Sequence, residues 1–409
     1  MRFKCRVRFP THQIFAKRER YCFGLTVRWE THPTRFLKFI LFLLILPLYL
    51  NATFDVNIEN SNFLLSTSAK PFENKTYLYN YNRLRAKSYY KQDDYFAKII
   101  GDVVTYIGKE YINSPSFAFT TSITSKTPFK TQTNYYKQKN FRLNSKLYRF
   151  YGGYDNGENR IVAGLQNINI GTGHIWTPSN IFNPKNSYAL EPDETFGILA
   201  LYMAHYFENE SQLYGAISQN EENDFKGLLG YKFMLNEAEV SLNIIESKNV
   251  KMLAYALATD LLETGIELRS EGAYLKTSDE VDFFQNIIGL DYAFENGINL
   301  TVESRYTSKS FDLNTILSQA NSDIALNFTQ EKYHLGVMMN YTFNIYLSSS
   351  LLFIESMGDN FSLFVSPSLT YTINDNNELT LGAIVQNGSK KSEFGVFGNS
   401  FYVRYGVGF

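Results

Sequence analysis

Arg83, Arg85 and Lys87 stand at every second position of one stretch, and Glu267, Arg269 and Glu271 do the same in another. Asp291, Glu303 and Arg305 follow, with Lys226 and Lys232 upstream and Arg404 near the end of the chain. A spacing of two places such side chains on one face of an extended strand. Charges arrayed in that way could line a water-filled passage and filter solutes by charge. Equally, Arg and Glu on neighbouring strands could pair and stiffen a wall. Arg83, Arg85 and Lys87 have no acidic partner on their own strand, which makes them the first candidates for a surface that meets solute. Covalent chemistry has a poor case. Only His174, His205 and His334 follow residue 52. His205, Glu208 and Ser211 share one turn, where sequence neighbours do not converge as base, orienter and nucleophile must. No phosphate-cradling glycine loop occurs, and three scattered histidines do not compose a metal site. The residues point to no enzyme, no cofactor and no metal.

The elements that must hold these charges are strands. In "GINLTVESRYT" the apolar set Ile298, Leu300, Val302 and Tyr306 alternates with Asn299, Thr301, Glu303 and Arg305. "TGIELRSEGAY", "KYHLGVMMNYTF", "ELTLGAIVQ" and the terminal "FYVRYGVGF" divide in the same way. Each runs about nine to twelve residues, the length of a tilted span across a bilayer. The face opposite the apolar one carries Glu, Arg, Lys and Gly in mid-strand, where a filled soluble barrel would need small or apolar side chains. Such strands imply lipid on one face and water on the other. The composition agrees, with 30 Tyr and 34 Phe in 409 residues, since strands and membrane interfaces both favour aromatic rings.

Connections between the strands alternate in length. "KQDD" (91–94), "DNGEN" (155–159), "ENES" (208–211), "LNE" (235–237), "LET" (262–264), "ENG" (295–297), "FN" (343–344) and "NDNNE" (374–378) are tight. Residues 109–140, a stretch from Gly171 to about Glu194, "SKSFDLNTILSQANSDIALNFTQ" and "NGSKKSEFGVFGNS" are long. Short turns on the periplasmic side and long loops outside are the habit of spanning barrels. "FDVNIENSNFLLS" supplies the first strand, giving an all-β antiparallel transmembrane barrel of about 18 strands, with 16 as the alternative. A closed barrel leaves no unpaired backbone edge in the hydrocarbon. The chain-final Phe409, with Tyr405 and Phe401 upstream, resembles the signal by which Gram-negative outer-membrane barrels are recognised by their assembly machinery. That resemblance implies the machinery and periplasmic chaperones as partners, outer-membrane lipid and lipopolysaccharide as surroundings, and an outer-membrane location.

Residues 36–50, "FLKFILFLLILPLYL", have a basic upstream edge, an apolar stretch and then "LNA", the layout of a secretory signal with Ala52 as its last residue. The long flank before it suggests a mis-assigned start between Leu25 and Leu37; a membrane anchor on a short basic tail is the other reading. Residues 1–52 are thus an N-terminal extension plus leader, and 53–409 the barrel. Both cysteines, Cys5 and Cys22, fall in the first part, which excludes a disulfide scaffold or a Cys-held metal in the rest. Residues 1–38 hold ten of the 39 Lys and Arg and two of the 40 Asp and Glu, so the remainder carries 29 basic against 38 acidic groups. Clustered positive charge for nucleic acid is lacking.

Residues 158–194 have a distinctive order of strand, glycine pair, Trp and two prolines. Through Gly164, Gln166, Gly171, Gly173, Trp176, Pro178, Asn180, Phe182, Asn183 and Pro184 the stretch resembles outer-membrane porin-like proteins related to the alginate-export barrels. Leu165, where that family has a basic residue, and Asn180, where it often has Asp, depart from the pattern. Pro178 and Pro184 forbid ladder pairing, and Trp176 offers a broad amphipathic surface. This loop (Trp176, Pro178, Asn180, Phe182, Asn183, Pro184) either folds inward as a constriction or braces the outer rim. The whole reads as a porin-like channel for small hydrophilic solutes, filtered by Arg83, Arg85, Lys87, Glu267, Arg269, Glu271, Glu303, Arg305 and Arg404. A non-conducting barrel used for surface binding or adhesion is the alternative, and oligomeric state is left open. The leader assignment predicts that chain recovered from outer membranes has an intact mass starting at Thr53. A mass that includes Phe36–Leu50 would contradict it.

Overall fold

The computed structural model describes residues 53–70, 72–320 and 322–409. The leader and both cysteines lie outside the described residues. The chain forms β1 (Thr53–Ser68), β2 (Thr76–Gln92), β3 (Tyr95–Ile107), α1 (Pro115–Ser122), β4 (Gln132–Lys137), β5 (Phe141–Asp155), β6 (Asn159–Gln166), β7 (Ile198–Tyr206), β8 (Gln212–Gln219) and β9 (Phe225–Leu235). It continues through β10 (Ala238–Ser247), β11 (Val250–Asp260), β12 (Glu267–Thr277), β13 (Asp282–Ala293), β14 (Ile298–Thr307), α2 (Leu313–Ser318), β15 (Tyr333–Asn344), β16 (Leu347–Met357), β17 (Ser362–Asn374), β18 (Asn377–Gly388) and β19 (Ser400–Gly408).

Each wall strand pairs antiparallel with its neighbours, and β19 returns to β1 with Phe63 opposite Arg404. The last residue takes part in this join, since Phe409 and Ile58 exchange backbone hydrogen bonds of 2.9 and 3.1 Å. Closure leaves no edge open in the ring of wall strands, as a bilayer requires. The ring contains 18 strands, because β3 pairs directly with β5 while β4 pairs only with β5. The alternative of 16 is therefore set aside.

Alternation assigns the faces as the sequence indicates. On β14, Thr301, Glu303 and Arg305 are buried toward the interior. Val403, Leu381, Leu253 and Ile244 are exposed on the outside. Tyr95, Tyr292, Phe294, Phe343, Tyr371 and Phe409 form an outward aromatic girdle near the short turns. The connections at that end are all short, the longest being residues 261–266. The opposite end holds the long loops but also tight ones such as 248–249 and 358–361.

Two expectations need correction. Residues 109–140 are more than a loop: Ser114 caps α1 by accepting from the Phe117 amide with Pro115 at the first turn, and β4 forms a hairpin with β5. This hairpin sits along β5 beyond the point where the short β6 leaves the wall. Second, water does not wet the whole inner face. Ala200, Ala216, Leu228, Ile245, Met252 and Leu275 are buried inside the barrel with Ile168, Phe182, Ile324 and Phe328 of two loops. Those loops fold in and fill one side of the lumen.

The face assignment predicts that Val403→Arg lowers stability in lipid vesicles by about 2–4 kcal/mol. Ser368→Arg on the interior face of β17 should change it by less than about 0.5 kcal/mol. Equal penalties in urea-unfolding curves would contradict the assignment.

Candidate functional site

Residues 167–197, between β6 and β7, cross the interior of the barrel. Two carboxylates on the far wall receive them. Glu271 on β12 is 0% exposed and accepts from the amides of Thr172 (2.9 Å), Gly173 (3.0 Å) and Ser179 (2.8 Å) and from the Ser179 hydroxyl (2.6 Å). Glu303 on β14, also 0% exposed, accepts from the amides of His174 (3.0 Å), Ile175 (3.3 Å) and Trp176 (2.8 Å). Arg269 bridges the set: Nε donates to Asp291 at 2.5 Å, and Nη1 to the Thr172 carbonyl at 2.6 Å and to Glu303 at 3.2 Å. A buried carboxylate is tolerable only with such compensation.

The local sequence explains why this segment can wrap a carboxylate. Gly171 has φ +91°, and a Cβ there would overlap the Glu271 carboxyl. A Cβ on Gly173 would overlap the Trp176 carbonyl. Successive amides in such a turn form a concave anion nest, and here the anion belongs to the protein's own wall.

The rest of the loop is braced side chain by side chain. Trp176 donates from its indole to the Tyr188 hydroxyl at 2.9 Å and packs over Gly336. The Pro178 carbonyl accepts from Asn327 at 2.9 Å. Asn180 accepts from the Phe182 and Asn183 amides, Asn183 accepts from the Ile168 amide at 2.7 Å, and Pro184 follows half-buried. Phe182 lies beneath Lys226, whose ammonium donates to the Ile181 carbonyl at 2.6 Å and pairs with Asp323.

On the side opposite Glu271 the loop is held by charge. Glu191 lies 2.8 Å from Arg83, and Glu194 lies 2.8 Å from Arg85 and 3.2 Å from Arg83. Arg85 also pairs with Asp102 on β3 at 2.7 Å. Lys87 pairs with Glu59 on β1. The lack of acid on their own strand therefore does not leave Arg83, Arg85 and Lys87 free; their partners come from other strands and from the loop. Arg404 pairs with Glu378 at 2.6 Å, and Lys232 with Glu239 at 2.8 Å. Arg305 is buried, donates to the Leu326 carbonyl at 2.9 Å and lies over the Trp176 ring. A bulge in the β3–β5 pairing turns both Tyr148 and Arg149 inward, and Arg149 donates to the Thr195 carbonyl at 2.9 Å.

Space remains on both sides of the loop. Toward the short turns a cavity of about 650 Å³ is lined by Glu59, Arg83, Glu191, Thr370, Glu378 and Arg404. A neighbour of about 530 Å³ includes Thr172, His174, Glu239, Glu267 and Arg269. On the outer side a smaller cavity of about 170 Å³ is lined by Tyr81, Arg83, Asp102, Lys146, Glu191 and Glu194. Arg83, Glu191 and Glu194 border both the largest cavity and the outer one, so the ion pairs separate them. His205 and Ser211 do not meet: His205 contacts Asn159 at 2.9 Å and Ser211 donates to Asn209 at 2.7 Å. Among the described residues no group of three or more His, Cys, Asp or Glu is arranged to hold a metal ion.

Sequence reasoning did not single out Glu191, Glu194, Asp102, Lys146 or Arg149. Only Arg149 and Lys146 left a trace, as basic residues among the aromatics of β5. Burial, then the neighbouring Glu194, push the Glu191 carboxyl up despite Arg83. Burial also acts to raise Glu194, but hydrogen bonds from Arg85 and the charges of Arg83 and Arg85 outweigh it and hold it low. A raised carboxyl takes its proton at the higher pH, so acidification neutralises Glu191 first and weakens its hold on Arg83 while Glu194 stays ionised.

In a carboxyl-carbon NMR titration Glu191 is accordingly expected to take up its proton at a higher pH than Glu194; the reverse order would contradict this. Replacing Glu271 by Ala removes four hydrogen bonds to a charged acceptor, each worth about 1.5–3 kcal/mol before relaxation. Limited trypsin digestion should then cut after Lys185 at least tenfold faster, in barrels that still migrate as folded on gels. An unchanged rate would mean that the carboxylate does not hold the loop.

No protein-family model matches the sequence, and no curated protein matches it. Solved structures do. OccAB1 of Acinetobacter baumannii superposes with a TM-score of 0.56 at 8% identity, covering 88% of this chain and 97% of that one. OpdK of Pseudomonas aeruginosa gives 0.55 at 7%, covering 88% and 100%. A BenF-like porin from Pseudomonas fluorescens Pf-5 gives 0.57 at 9%, covering 88% and 99%. The relation to alginate-export barrels finds no support among these neighbours. Gly164 and Gln166 of its motif belong to β6, and the rest of its residues pack the inward loop. At these identities the likeness establishes architecture: residues 53–409 have the fold of outer-membrane porins, an 18-strand antiparallel transmembrane barrel.

Proposed function

We propose that this chain is an outer-membrane channel through which small hydrophilic solutes diffuse, with the inward loop as its constriction. The observation that carries this reading is the arrangement of cavities. Space lies on both sides of the loop, and the border between the largest cavity and the outer one is Arg83, Glu191 and Glu194. No covalent step is needed, and the reading is of a non-enzymatic protein. Opposed charges of both signs at a narrow point in a low-dielectric wall set a strong local field. In this reading Arg83, Glu191 and Glu194 form the filter, with Arg85 positioned by Asp102 behind them. Glu267, Glu378 and Arg404 then tune the vestibule, while Arg269, Glu271, Glu303 and Arg305 are structural. Lys87 belongs to the wall pair with Glu59.

The kinship of fold supports the same reading. One similar structure is described as a BenF-like porin, and OpdK of Pseudomonas aeruginosa was also solved with vanillate. A solute of that size is far smaller than the largest cavity here. The outer loops argue against an adhesion platform, since Ile324 and Phe328 of residues 308–332 are buried inside the barrel. Phe401, Tyr405 and Phe409 on the closing strand would serve recognition by the assembly machinery.

Purified protein in planar bilayers should give steady, ion-selective openings. Arg83→Glu should shift the reversal potential toward cation preference. Electrical silence of barrels shown to be folded and inserted would favour the surface-binding reading. Openings with an unchanged reversal potential would keep the channel but remove Arg83 from the filter.

A further inference from the structure

The outward face of β1 and β2 breaks the rule that most of the wall follows. Asn60 and Asn62 on β1, with Asn80 and Asn82 on β2, alternate with the buried Ser61, Phe63, Tyr79 and Arg83-bearing inner face and therefore point to lipid. They lie within the apolar belt. Ile58 and Leu84 are exposed on the same face on the side of the short turns, and Leu64 and Leu78 on the side of the outer loops. Four amides at that depth have no water to satisfy them, and each unmet polar group is costly in hydrocarbon.

Their mutual bonds leave a definite remainder. Asn60 and Asn82 exchange amide hydrogen bonds at 3.2 Å, and Asn60 also donates to the Arg83 carbonyl. Asn80 donates to Asn62 at 2.9 Å and to the Phe63 carbonyl at 3.0 Å. Among the described residues the Asn62 amide nitrogen, a double donor, the second N–H of Asn82 and the Asn80 amide oxygen, an acceptor, have no partner. A second outward polar group, on β11–β13, differs in that its amide nitrogen is engaged. There the Asn286 amide nitrogen donates to Tyr255 at 2.7 Å and to the Glu271 carbonyl at 3.2 Å, and Tyr255 contacts Ser270 at 3.2 Å.

We propose that β1 and β2 form the interface of a twofold dimer with a second copy of this chain in the membrane, the Asn62 amide nitrogen of each copy donating to the Asn80 amide oxygen of the other. Asn62 and Asn80 are bonded to each other and so lie at nearly one depth. A twofold axis along the bilayer normal preserves depth and makes every contact reciprocal. A leftover donor on one strand and a leftover acceptor on the next, at one depth, are what such an axis pairs, and lipid chains offer neither. Leu64 and Leu78 beside the amides, with Ile58 and Leu84 beyond, give the contact an apolar surround.

The test uses the full chain with Cys5 and Cys22 replaced by serine, so that an introduced cysteine is the sole thiol. Leu64→Cys, which leaves Asn62 and Asn80 in place beside it, should in isolated outer membranes treated with a short bis-maleimide yield a covalent dimer at least fivefold more abundantly than Ser270→Cys on the far wall. Native mass spectrometry in mild detergent should show a dimer for the wild type and chiefly monomer for Asn62→Leu/Asn80→Leu, which must still migrate as a folded barrel and conduct as the wild type does per barrel. A monomeric wild type, equal cross-linking at the two positions, or a dimer that survives the double substitution would each overturn the proposal. Because per-barrel conductance is read separately, loss of the dimer and failure of the channel reading remain distinct results.

Discussion

Two carboxylates on the inner wall, Glu271 and Glu303, organise everything that makes this barrel more than an empty cylinder. Seven hydrogen bonds from loop residues 172–179 end on them. A backbone segment lying inside a barrel needs partners for its amides, and a buried carboxylate needs donors. Each need meets the other here. With residues 172–179 fixed, the following residues cannot wander: Trp176 reaches Tyr188, and Glu191 and Glu194 arrive at Arg83 and Arg85 on the other side of the lumen.

The two attachments differ in kind. At Glu271 and Glu303 most of the donors are backbone amides, which hold their protons at any physiological pH, and the acceptors are fully buried. At Arg83 and Arg85 the acceptors are loop carboxylates that remain partly open to the cavities. The first attachment therefore behaves as a fixed anchor and the second as the adjustable one. Small changes at the second can shift Glu191 and Glu194 without dismantling the fold.

Much of the wall was legible in the sequence, because its cause is local. Lipid and water select alternate residues, so Leu300, Val302, Glu303 and Arg305 reveal their faces within a few positions. Turns such as "NDNNE" and "ENG" carry their own chemistry for reversal. The loop's docking was less legible, because its partners are remote: Arg85 and Glu194 are 109 residues apart, and Ser179 and Glu271 are 92 apart. Period two tells which face Glu271 occupies, but not whether water or a backbone amide waits there. Two clues were nevertheless present. Gly171 and Gly173, two residues apart, suit an anion nest. Ala200, Ala216, Ala254 and Ala273 at inward positions mark a wall that something must cover.

The most direct test of the anchor is amide hydrogen exchange of the folded barrel in detergent micelles or lipid nanodiscs. The amides of Thr172, Gly173, His174, Trp176 and Ser179 should exchange as slowly as those of the β12–β14 ladder, despite belonging to a segment without regular secondary structure. Exchange at the rate of an exposed loop, with the β12–β14 amides still protected, would contradict the account.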